Sequence, residues 1–201
     1  MWIKICGLTT SAAVTAALAA GVDALGFVFA DSVRRVTPAQ ALQLAQPVRG
    51  RALRVAVMRH PQQAEVDEVL KLFRPDVLQS DAEDLSRLRL PAALELLPVL
   101  RDIAAAPAEL PARLLFEGAA SGSGSKSDWH AAAELACRTQ LVLAGGLSAA
   151  NVAEAIAAVR PFGVDVSSGV EERAGIKSPA AIESFVRAAR VAAMEFTEGV
   201  L

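Results

Sequence analysis

The chain has 201 residues, of which 53% are hydrophobic and 21% charged, a composition typical of a single globular domain, here taken as residues 1–201. Its net charge of −2 at pH 7 gives no basic excess, which argues against nucleic acid or an anionic membrane surface as a partner. No apolar run approaches the ~18 residues of a membrane-spanning helix, and the N-terminus lacks the features of a signal peptide. We therefore expect a cytoplasmic protein.

Short apolar runs recur along the chain at intervals of roughly 20 to 30 residues, a spacing typical of repeated βα units. Most are continuously apolar instead of alternating, as expected of parallel strands covered on both faces. The eight predicted strands are, in chain order, Trp2–Cys6, Ala24–Phe29, Leu53–Met58, Asp76–Gln79, Leu94–Leu100, Arg113–Glu117, Leu141–Ala144 and Phe162–Ser167.

Helices are predicted between these strands. The first covers roughly Ser11–Ala20, begins after threonines suited to capping and stops at Gly21. The fifth segment, Ile103–Pro111, contains two prolines and can hold at most a turn or two of helix. Apolar residues at i, i+3, i+4 and i+7 mark the buried faces of two others: Val66, Val69, Leu70 and Phe73, and later Ile182, Phe185, Val186 and Ala189.

This order of elements predicts a closed (β/α)8 TIM barrel with a short or irregular fifth helix. An open doubly wound sheet is the alternative, but it normally carries fewer strands in a chain of this length. In (β/α)8 barrels the chemistry lies at the carboxyl ends of the strands, and the loops after strands 7 and 8 often bind phosphate.

Two loops rich in small residues follow the last two predicted strands. Gly145 and Gly146 come after strand 7, and Ser167, Ser168 and Gly169 come after strand 8. Bare backbone allows close approach, and unpaired N–H groups near a helix start favour an anion. A tight connection would also explain the glycine pair alone, but the two loops together predict a phosphate site.

Polar side chains collect at the other predicted strand ends and supply a thiol, carboxylates and guanidinium groups. They are Lys4 and Cys6 on strand 1, Asp31, Ser32, Arg34 and Arg35 after strand 2, Gln79 and Asp81 after strand 4, Glu117 after strand 6, and Asp165 on strand 8. The remaining cysteine, Cys137, falls within a predicted helix and is assigned no role. The spacing of the two cysteines and of His60 and His130 indicates neither a disulfide framework nor a metal site.

Five segments carry a resemblance to a known enzyme family: KICGLT at 4–9, DALGFVFADSVRRVTP at 23–38, SGSGSKSDW at 121–129, LAGGLSAANV at 143–152 and RPFGVDVSSGVEERAGIK at 160–177. They occur in the same order throughout the chain and fall in the predicted ligand loops. The chain thus resembles the phosphoribosylanthranilate isomerases of tryptophan biosynthesis.

This resemblance implies a phosphorylated sugar–anthranilate substrate and an Amadori rearrangement that needs no cofactor. A general acid protonates the ring oxygen, and a general base then takes the proton from C2′.

The resemblance also implies roles for the proton-transfer residues. Cys6 matches the general base, and this role requires a thiolate, hence a pKa held low enough. Glu117 stands where the family usually has an aspartate and is expected to be the general acid. Asp128 is the competing carboxylate, although its position before Trp129 also suits the N-cap of a helix.

Four further residues are expected to bind the substrate. Arg34 matches the arginine that faces the anthranilate carboxylate, with Arg35 as the alternative. Asp165 is expected to contact the amine or hydroxyl groups of the substrate, or else to pair with Lys4 or backbone donors. Lys4 and Gln79 complete the substrate-binding set.

Some features depart from the family pattern. Ser80 and Asp81 replace the usual Leu-His after the glutamine, and Ser178 replaces the usual aspartate. The segment Gly118–Ser127 is interpreted as a lid beside the acid, although its composition also suits a linker.

Two rival functions remain: another phosphosugar barrel, such as indole-glycerol-phosphate synthase or the isomerase of histidine biosynthesis, or a phosphate-binding barrel with lost or altered catalysis. Both a monomer and a homodimer are compatible with the sequence.

Overall fold

Eight parallel strands form a closed barrel in which each strand pairs with the next in chain order and the last pairs with the first. This computed structural model describes residues 1–118 and 128–198. The strands are β1 (Trp2–Cys6), β2 (Ala24–Val28), β3 (Leu53–Val57), β4 (Val77–Asp81), β5 (Glu95–Leu100), β6 (Arg113–Phe116), β7 (Gln140–Leu143) and β8 (Gly163–Val166). The predicted (β/α)8 barrel is confirmed.

Helices surround the barrel. The described residues form α1 (Ser11–Ala19), α2 (Pro38–Leu44), α3 (Gln63–Leu72), α4 (Ala82–Arg87), α5 (Trp129–Ala136), α6 (Val152–Val159) and α7 (Pro179–Glu198). Between β5 and β6 the chain makes only a 3-10 turn, Ile103–Ala105, so the prediction of an irregular fifth helix is also confirmed. None of the helices described is long and apolar enough to cross a membrane.

Local sequence sets the helix ends and faces as predicted. The Thr10 side chain accepts a hydrogen bond from the backbone N–H of Ala13 and caps α1, and Gly21 follows its end with φ +71°. The four residues predicted for the buried face of α7 are all buried. Of the four predicted for α3, Val66, Val69 and Phe73 are buried and Leu70 is half-buried. These helices therefore pack their apolar stripes against the barrel.

Alternation along the strands divides the barrel interior into layers. The middle layer is apolar and includes Ala24, Val55, Val77, Leu97, Leu115 and Val142. At the amino ends of the strands the Arg113 guanidinium lies 4.8 Å from the ring centre of Phe162 and 5.7 Å from that of Trp2. Apolar and aromatic side chains thus fill the barrel below its carboxyl end, where the polar residues lie.

Several predicted strands differ from the structure by one residue at an end, and two differences are larger. Strand β4 runs two residues further, to Asp81, because its last residues pair with Pro98 and Val99 of β5. A short antiparallel hairpin, β9 (Glu171–Arg173) and β10 (Ile176–Lys177), follows β8 and was not predicted, since such brief strands leave almost no periodicity to detect.

Candidate active site

A cavity of about 170 Å³ opens at the carboxyl end of the barrel. Its polar lining comes from the last residues of β1, β4 and β8 and from the loops after β2, β3, β5, β6 and β8. These residues include Cys6, Arg34, Gln79, Asp81, Arg101, Glu117, Asp165 and Ser167. Six residues that the sequence assigned to the site therefore face one cavity, although they are spread over 162 positions of the chain.

The end of β1 places Cys6 beside Gly26 of β2. A Cβ atom at Gly26 would lie 3.1 Å from the Cys6 sulfur and 3.2 Å from Cε of Lys4. Such distances are tighter than ordinary contacts, so a side chain at position 26 would displace the thiol or the lysine. Gly26 provides the space that both side chains occupy.

Burial raises the pKa of the Cys6 thiol, because desolvation disfavours the thiolate. The positive charges of Lys4 and Lys177 act in the opposite direction, whereas the charge of Asp165 adds to the increase. The general-base role requires the thiolate, which must therefore form at the cost of deprotonating a buried group.

Lys4 and Asp165 form a buried ion pair, with 2.8 Å between Nζ and Oδ1. Burial alone would lower the pKa of Lys4, but the charge and hydrogen bond of Asp165 raise it to about 12. Asp165 also lines the cavity, whereas Lys4 is fully buried beneath it and is absent from the lining. The pairing of Asp165 with Lys4 is confirmed, and a substrate contact by either residue stays a prediction.

Arg34 lies against Glu171 in a bidentate pair, with 2.7 Å from Nε to Oε1 and 2.9 Å from Nη2 to Oε2. Burial acts to raise the pKa of Glu171, but the hydrogen bonds from Arg34 and Lys177 outweigh it and lower the value. Arg35 lines a different cavity, together with Thr9 and Gln40 on the outer side of the loop. The geometry thus favours Arg34 over its neighbour as the arginine of the site.

Lys177 links the β10 hairpin to the end of β8. Its buried ammonium donates hydrogen bonds to the carbonyl oxygen of Ser167 at 3.0 Å, to the Ser167 hydroxyl at 3.2 Å and to Glu171 at 2.7 Å. The Ser167 hydroxyl in turn donates to the carbonyl oxygen of Cys6 at 3.1 Å. Neither Glu171 nor Lys177 was predicted as a site residue, although both belong to the final segment that carried the family resemblance.

The predicted phosphate loops adjoin each other. Gly145 and Gly146 have φ of +91° and +64°, in the left-handed region that favours glycine. The Asn151 side chain fixes this loop, since its amide donates to the Gly146 carbonyl at 2.9 Å and its oxygen accepts from the N–H of Ser148 at 2.8 Å.

Gly169 brings the loop after β8 into contact with the loop after β7. A Cβ atom at this position would lie 1.9 Å from the carbonyl oxygen of Leu147. Of the predicted phosphate-binding residues, only Ser167 lines the cavity, and its hydroxyl already bonds within the protein. The phosphate contacts of Gly145, Gly146, Ser168 and Gly169 stay predictions.

We expect Gly169→Ala to lower the affinity for inorganic phosphate by at least about tenfold and the free energy of unfolding by about 1–3 kcal/mol, the usual range for overpacking. The reason is that the new methyl group must displace the backbone at Leu147. Calorimetric titration and urea unfolding measure the two effects. Gly21→Ala is the matched control: it strains a left-handed glycine with no atom within 4 Å, and should lower stability without changing phosphate affinity. Unchanged affinity in Gly169→Ala would contradict the phosphate assignment.

Glu117 and Asp128 have clearly different surroundings. Glu117 follows β6, lines the cavity and forms an ion pair with Arg101. The Asp128 carboxylate accepts hydrogen bonds from the N–H groups of His130 at 2.9 Å and Ala131 at 3.2 Å. It is therefore the N-cap of α5, as predicted, and it is absent from the cavity lining. Of the predicted lid, only Gly118 lies within the described residues.

Arg101 was not predicted as a site residue. It donates to Asp81 Oδ1 through Nε at 3.0 Å and through Nη2 at 2.8 Å, in addition to its pair with Glu117. Arg101 directly follows β5 and continues the alternation of Leu97 and Val99, which is the signal that could have placed it inside the barrel.

One group of potential metal ligands occurs in the part of the chain that the structure describes. Ligand atoms of His60, Asp81 and Asp84 lie within 4.8 Å of one another. Asp84 already accepts hydrogen bonds from the backbone N–H of His60 at 2.8 Å and from the Ser80 hydroxyl at 3.3 Å. Asp81 is held by Arg101, so these internal bonds explain the cluster, and we assign no metal to it.

Comparison with known proteins agrees with this arrangement. Residues 3–188 match the family model for N-(5′-phosphoribosyl)anthranilate (PRA) isomerase. The N-(5′-phosphoribosyl)anthranilate isomerase of Bradyrhizobium sp. strain BTAi1 is 40% identical over 94% of this chain and 95% of its own length. The crystal structure of phosphoribosyl anthranilate isomerase from Thermus thermophilus has a TM-score of 0.81 and 29% identity, and the match covers 95% of this chain and 99% of that one.

A second crystal structure is of particular interest because it holds a ligand. It is a phosphoribosyl anthranilate isomerase in complex with reduced 1-(o-carboxyphenylamino)-1-deoxyribulose 5-phosphate. It has a TM-score of 0.77 and 26% identity, over 95% of this chain and 99% of that one. From the matched family model, the identity over nearly the full length and the shared barrel, the chain belongs to the N-(5′-phosphoribosyl)anthranilate isomerase family of tryptophan biosynthesis.

Proposed function

We propose that Cys6 and Glu117 carry the isomerisation of N-(5′-phosphoribosyl)anthranilate to 1-(2-carboxyphenylamino)-1-deoxyribulose 5-phosphate in this chain. The observation that supports these roles is the lining of a single cavity by a thiol, a carboxyl group and the Arg34 guanidinium. The reaction needs one proton donor and one proton acceptor, and these two side chains lie on different strand ends around the same space.

Glu117 acts first in this scheme. Its protonated carboxyl group gives a proton to the furanose ring oxygen as the C1′–oxygen bond breaks, and the ring opens to a Schiff base. The Cys6 thiolate then removes the proton from C2′, and the electron pair of that C–H bond forms the enolamine. Tautomerisation of the enolamine gives the ketone, so the reaction needs no external oxidant, reductant or cofactor.

Arg34 is proposed to bind the anthranilate carboxylate. A guanidinium has five N–H donors, and the pair with Glu171 uses one on Nε and one on Nη2. Three N–H donors remain, on Nη1 and Nη2, and this edge of the guanidinium can bind a second carboxylate through two hydrogen bonds. Glu171 would therefore orient the guanidinium and leave its outer edge for the substrate.

Gln79 and the phosphate loops are proposed to fix the rest of the substrate. Among the described residues, the buried Gln79 Oε1 has no hydrogen-bond partner, although such atoms are normally satisfied. A ribose hydroxyl or the anthranilate N–H would supply the missing donor, and Asp165 can accept another hydrogen bond. Backbone N–H groups of the loops containing Gly145, Gly146, Ser168 and Gly169 would hold the phosphate. A biosynthetic role supports a cytoplasmic location.

The pH dependence of kcat/KM tests the base. Because burial raises the pKa of Cys6, we expect the residual kcat/KM of Glu117→Gln, in which the acid no longer titrates, to increase from pH 6 to pH 9, with its inflection above the ordinary cysteine value. The sign follows from the active form: the base must be deprotonated, and a raised pKa moves the gain of activity to higher pH. Initial rates with freshly prepared substrate at each pH measure this, and a plateau already reached at pH 6 would contradict it.

Direct turnover tests the function itself. Purified protein is mixed with freshly generated phosphoribosylanthranilate, and the loss of its fluorescence is followed against a protein-free sample. We expect saturable turnover. No turnover together with saturable binding of inorganic phosphate would instead support a phosphate-binding barrel without this chemistry. That alternative rests on the ion pair of Glu117 with Arg101, which holds the proposed acid beside a positive charge.

A further inference from the structure

We propose that Arg101 is a positioning residue for the general acid, and that Asp81 keeps Arg101 neutralised while Glu117 gains and loses its proton. This inference rests on the role of Glu117 proposed above. It joins three neighbouring strand ends through one guanidinium: Asp81 ends β4, Arg101 follows β5 and Glu117 follows β6.

The geometry divides the donors of Arg101 between the two carboxylates. Nε and Nη2 both donate to Asp81 Oδ1, while Nη1 contacts Glu117 Oε1. The backbone supports this arrangement, because the Glu117 N–H donates to the Leu100 carbonyl at 3.2 Å and Asp81 pairs in register with Val99. The contact at Oε1 leaves Glu117 Oε2 as the oxygen that can carry and transfer a proton.

All three side chains are largely withdrawn from water. Their exposed fractions are 21% for Arg101, 17% for Asp81 and 14% for Glu117. Burial alone would lower the pKa of Arg101, but the charge of Glu117 and the charge and hydrogen bonds of Asp81 raise it. Arg101 therefore stays charged and is not itself a proton donor.

The charge balance explains why two carboxylates share this arginine. A buried charge that loses its partner is strongly destabilising. Arg59 also faces Asp81, with 4.0 Å between Nε and Oδ2, but it is 52% exposed and its charge is screened by water. When Glu117 is protonated, Asp81 still neutralises Arg101, and when Glu117 is ionised, Arg101 bonds to both. Glu117 can thus change its charge without leaving an isolated cation in the site.

Two departures from the family pattern meet at Arg101. Asp81 stands two residues after Gln79, where the family usually has histidine, and Glu117 stands in place of the usual aspartate. The longer side chain of Glu117 and the carboxylate of Asp81 meet on the same guanidinium.

A double-mutant cycle tests this inference. We expect Arg101→Gln to lower kcat by on the order of 10- to 100-fold through loss of alignment, with KM changed less than about threefold. Arg101→Lys should recover part of kcat. If Arg101 acts through Glu117, the double variant Arg101→Gln/Glu117→Gln should be no slower than Glu117→Gln alone.

A second variant gives a readout that a purely structural role would not change. In Asp81→Asn, Arg101 has only Glu117 as a charged partner, so it should hold the Glu117 carboxylate more tightly and hinder its proton transfer. We expect Asp81→Asn to lower kcat severalfold in the wild-type background and to leave the kcat of Glu117→Gln unchanged, because the glutamine has no proton to transfer. Arg87→Gln is the matched control, because Arg87 forms an exposed pair with Glu83 and should leave kcat unchanged. Circular dichroism confirms that each variant is folded.

Multiplicative losses in the double variant, or a raised KM with kcat unchanged in Arg101→Gln, would overturn the inference while leaving the proposed function intact. Equal losses of kcat from Asp81→Asn in the wild-type and Glu117→Gln backgrounds, or no loss in either, would overturn the role of Asp81. Absence of turnover by the wild type would instead contradict the proposed function, and this inference with it.

Discussion

Replacing Cys6 by serine is expected to lower kcat by on the order of 10²- to 10⁴-fold, the usual contribution of a general base. A serine hydroxyl has almost the same shape as the thiol but does not ionise in the range where a thiolate forms. The substitution also fits, because the smaller oxygen can occupy the space that Gly26 leaves for the sulfur. Fluorescence assays of turnover, combined with thermal unfolding, separate the loss of chemistry from a loss of fold.

The chain offers a matched control in its second cysteine. Cys137 is exposed at the end of α5, away from the cavity. Cys137→Ser should therefore retain the turnover and the pH profile of the wild type. Turnover near the wild-type rate in Cys6→Ser would exclude the thiol as the base, and equal losses in both variants would point to a general effect of thiol removal.

Glu117→Gln is expected to lower kcat by on the order of 10²-fold or more, because an amide cannot give a proton to the ring oxygen. The glutamine carbonyl can still accept a hydrogen bond from Arg101, so the contact between the residues that follow β5 and β6 should be kept. Steady-state kinetics measure kcat and KM, and the free energy of unfolding is measured with urea.

Asp128→Asn provides the comparison for Glu117→Gln, since Asp128 is the other carboxylate considered for the acid. Its side chain caps α5, and its substitution should cost on the order of 1 kcal/mol of stability or less, because asparagine is also a good N-cap. Its kcat should be close to that of the wild type. The reverse pattern, with activity lost in Asp128→Asn and retained in Glu117→Gln, would exchange the two roles.

Sequence periodicity predicted the barrel because buried parallel strands leave continuous apolar runs and the helices leave apolar stripes. The glycines of the loop after β7 were equally informative, since φ of +91° at Gly145 and +64° at Gly146 makes other residues unfavourable there. Cys6 and Arg34 could be assigned only through the resemblance. A single cysteine or arginine carries no signal of its own, and the structure adds that both face one cavity.

The contacts that the sequence did not predict depend on three-dimensional proximity. Arg34 and Glu171 are 137 residues apart, and they pair because β2 and β8 lie on either side of β1, which brings the loops after these two strands together. Arg101 was missed because its segment was interpreted mainly through its prolines. The direction of the pKa shift at Cys6 could not be predicted from the sequence, because it is set by the extent of burial, which competes with the charges of Lys4 and Lys177.

A crystal structure of this chain with reduced 1-(o-carboxyphenylamino)-1-deoxyribulose 5-phosphate would test the roles of Cys6, Arg34 and the phosphate loops together. We expect the sugar C2′ within about 3.5 Å of the Cys6 sulfur, the reacting distance of a near-attack geometry, and the anthranilate carboxylate on Arg34. The phosphate should accept hydrogen bonds from the loops that contain Gly146 and Ser168. A ligand bound with its phosphate elsewhere, or with Cys6 on the far side of the cavity from C2′, would contradict the account.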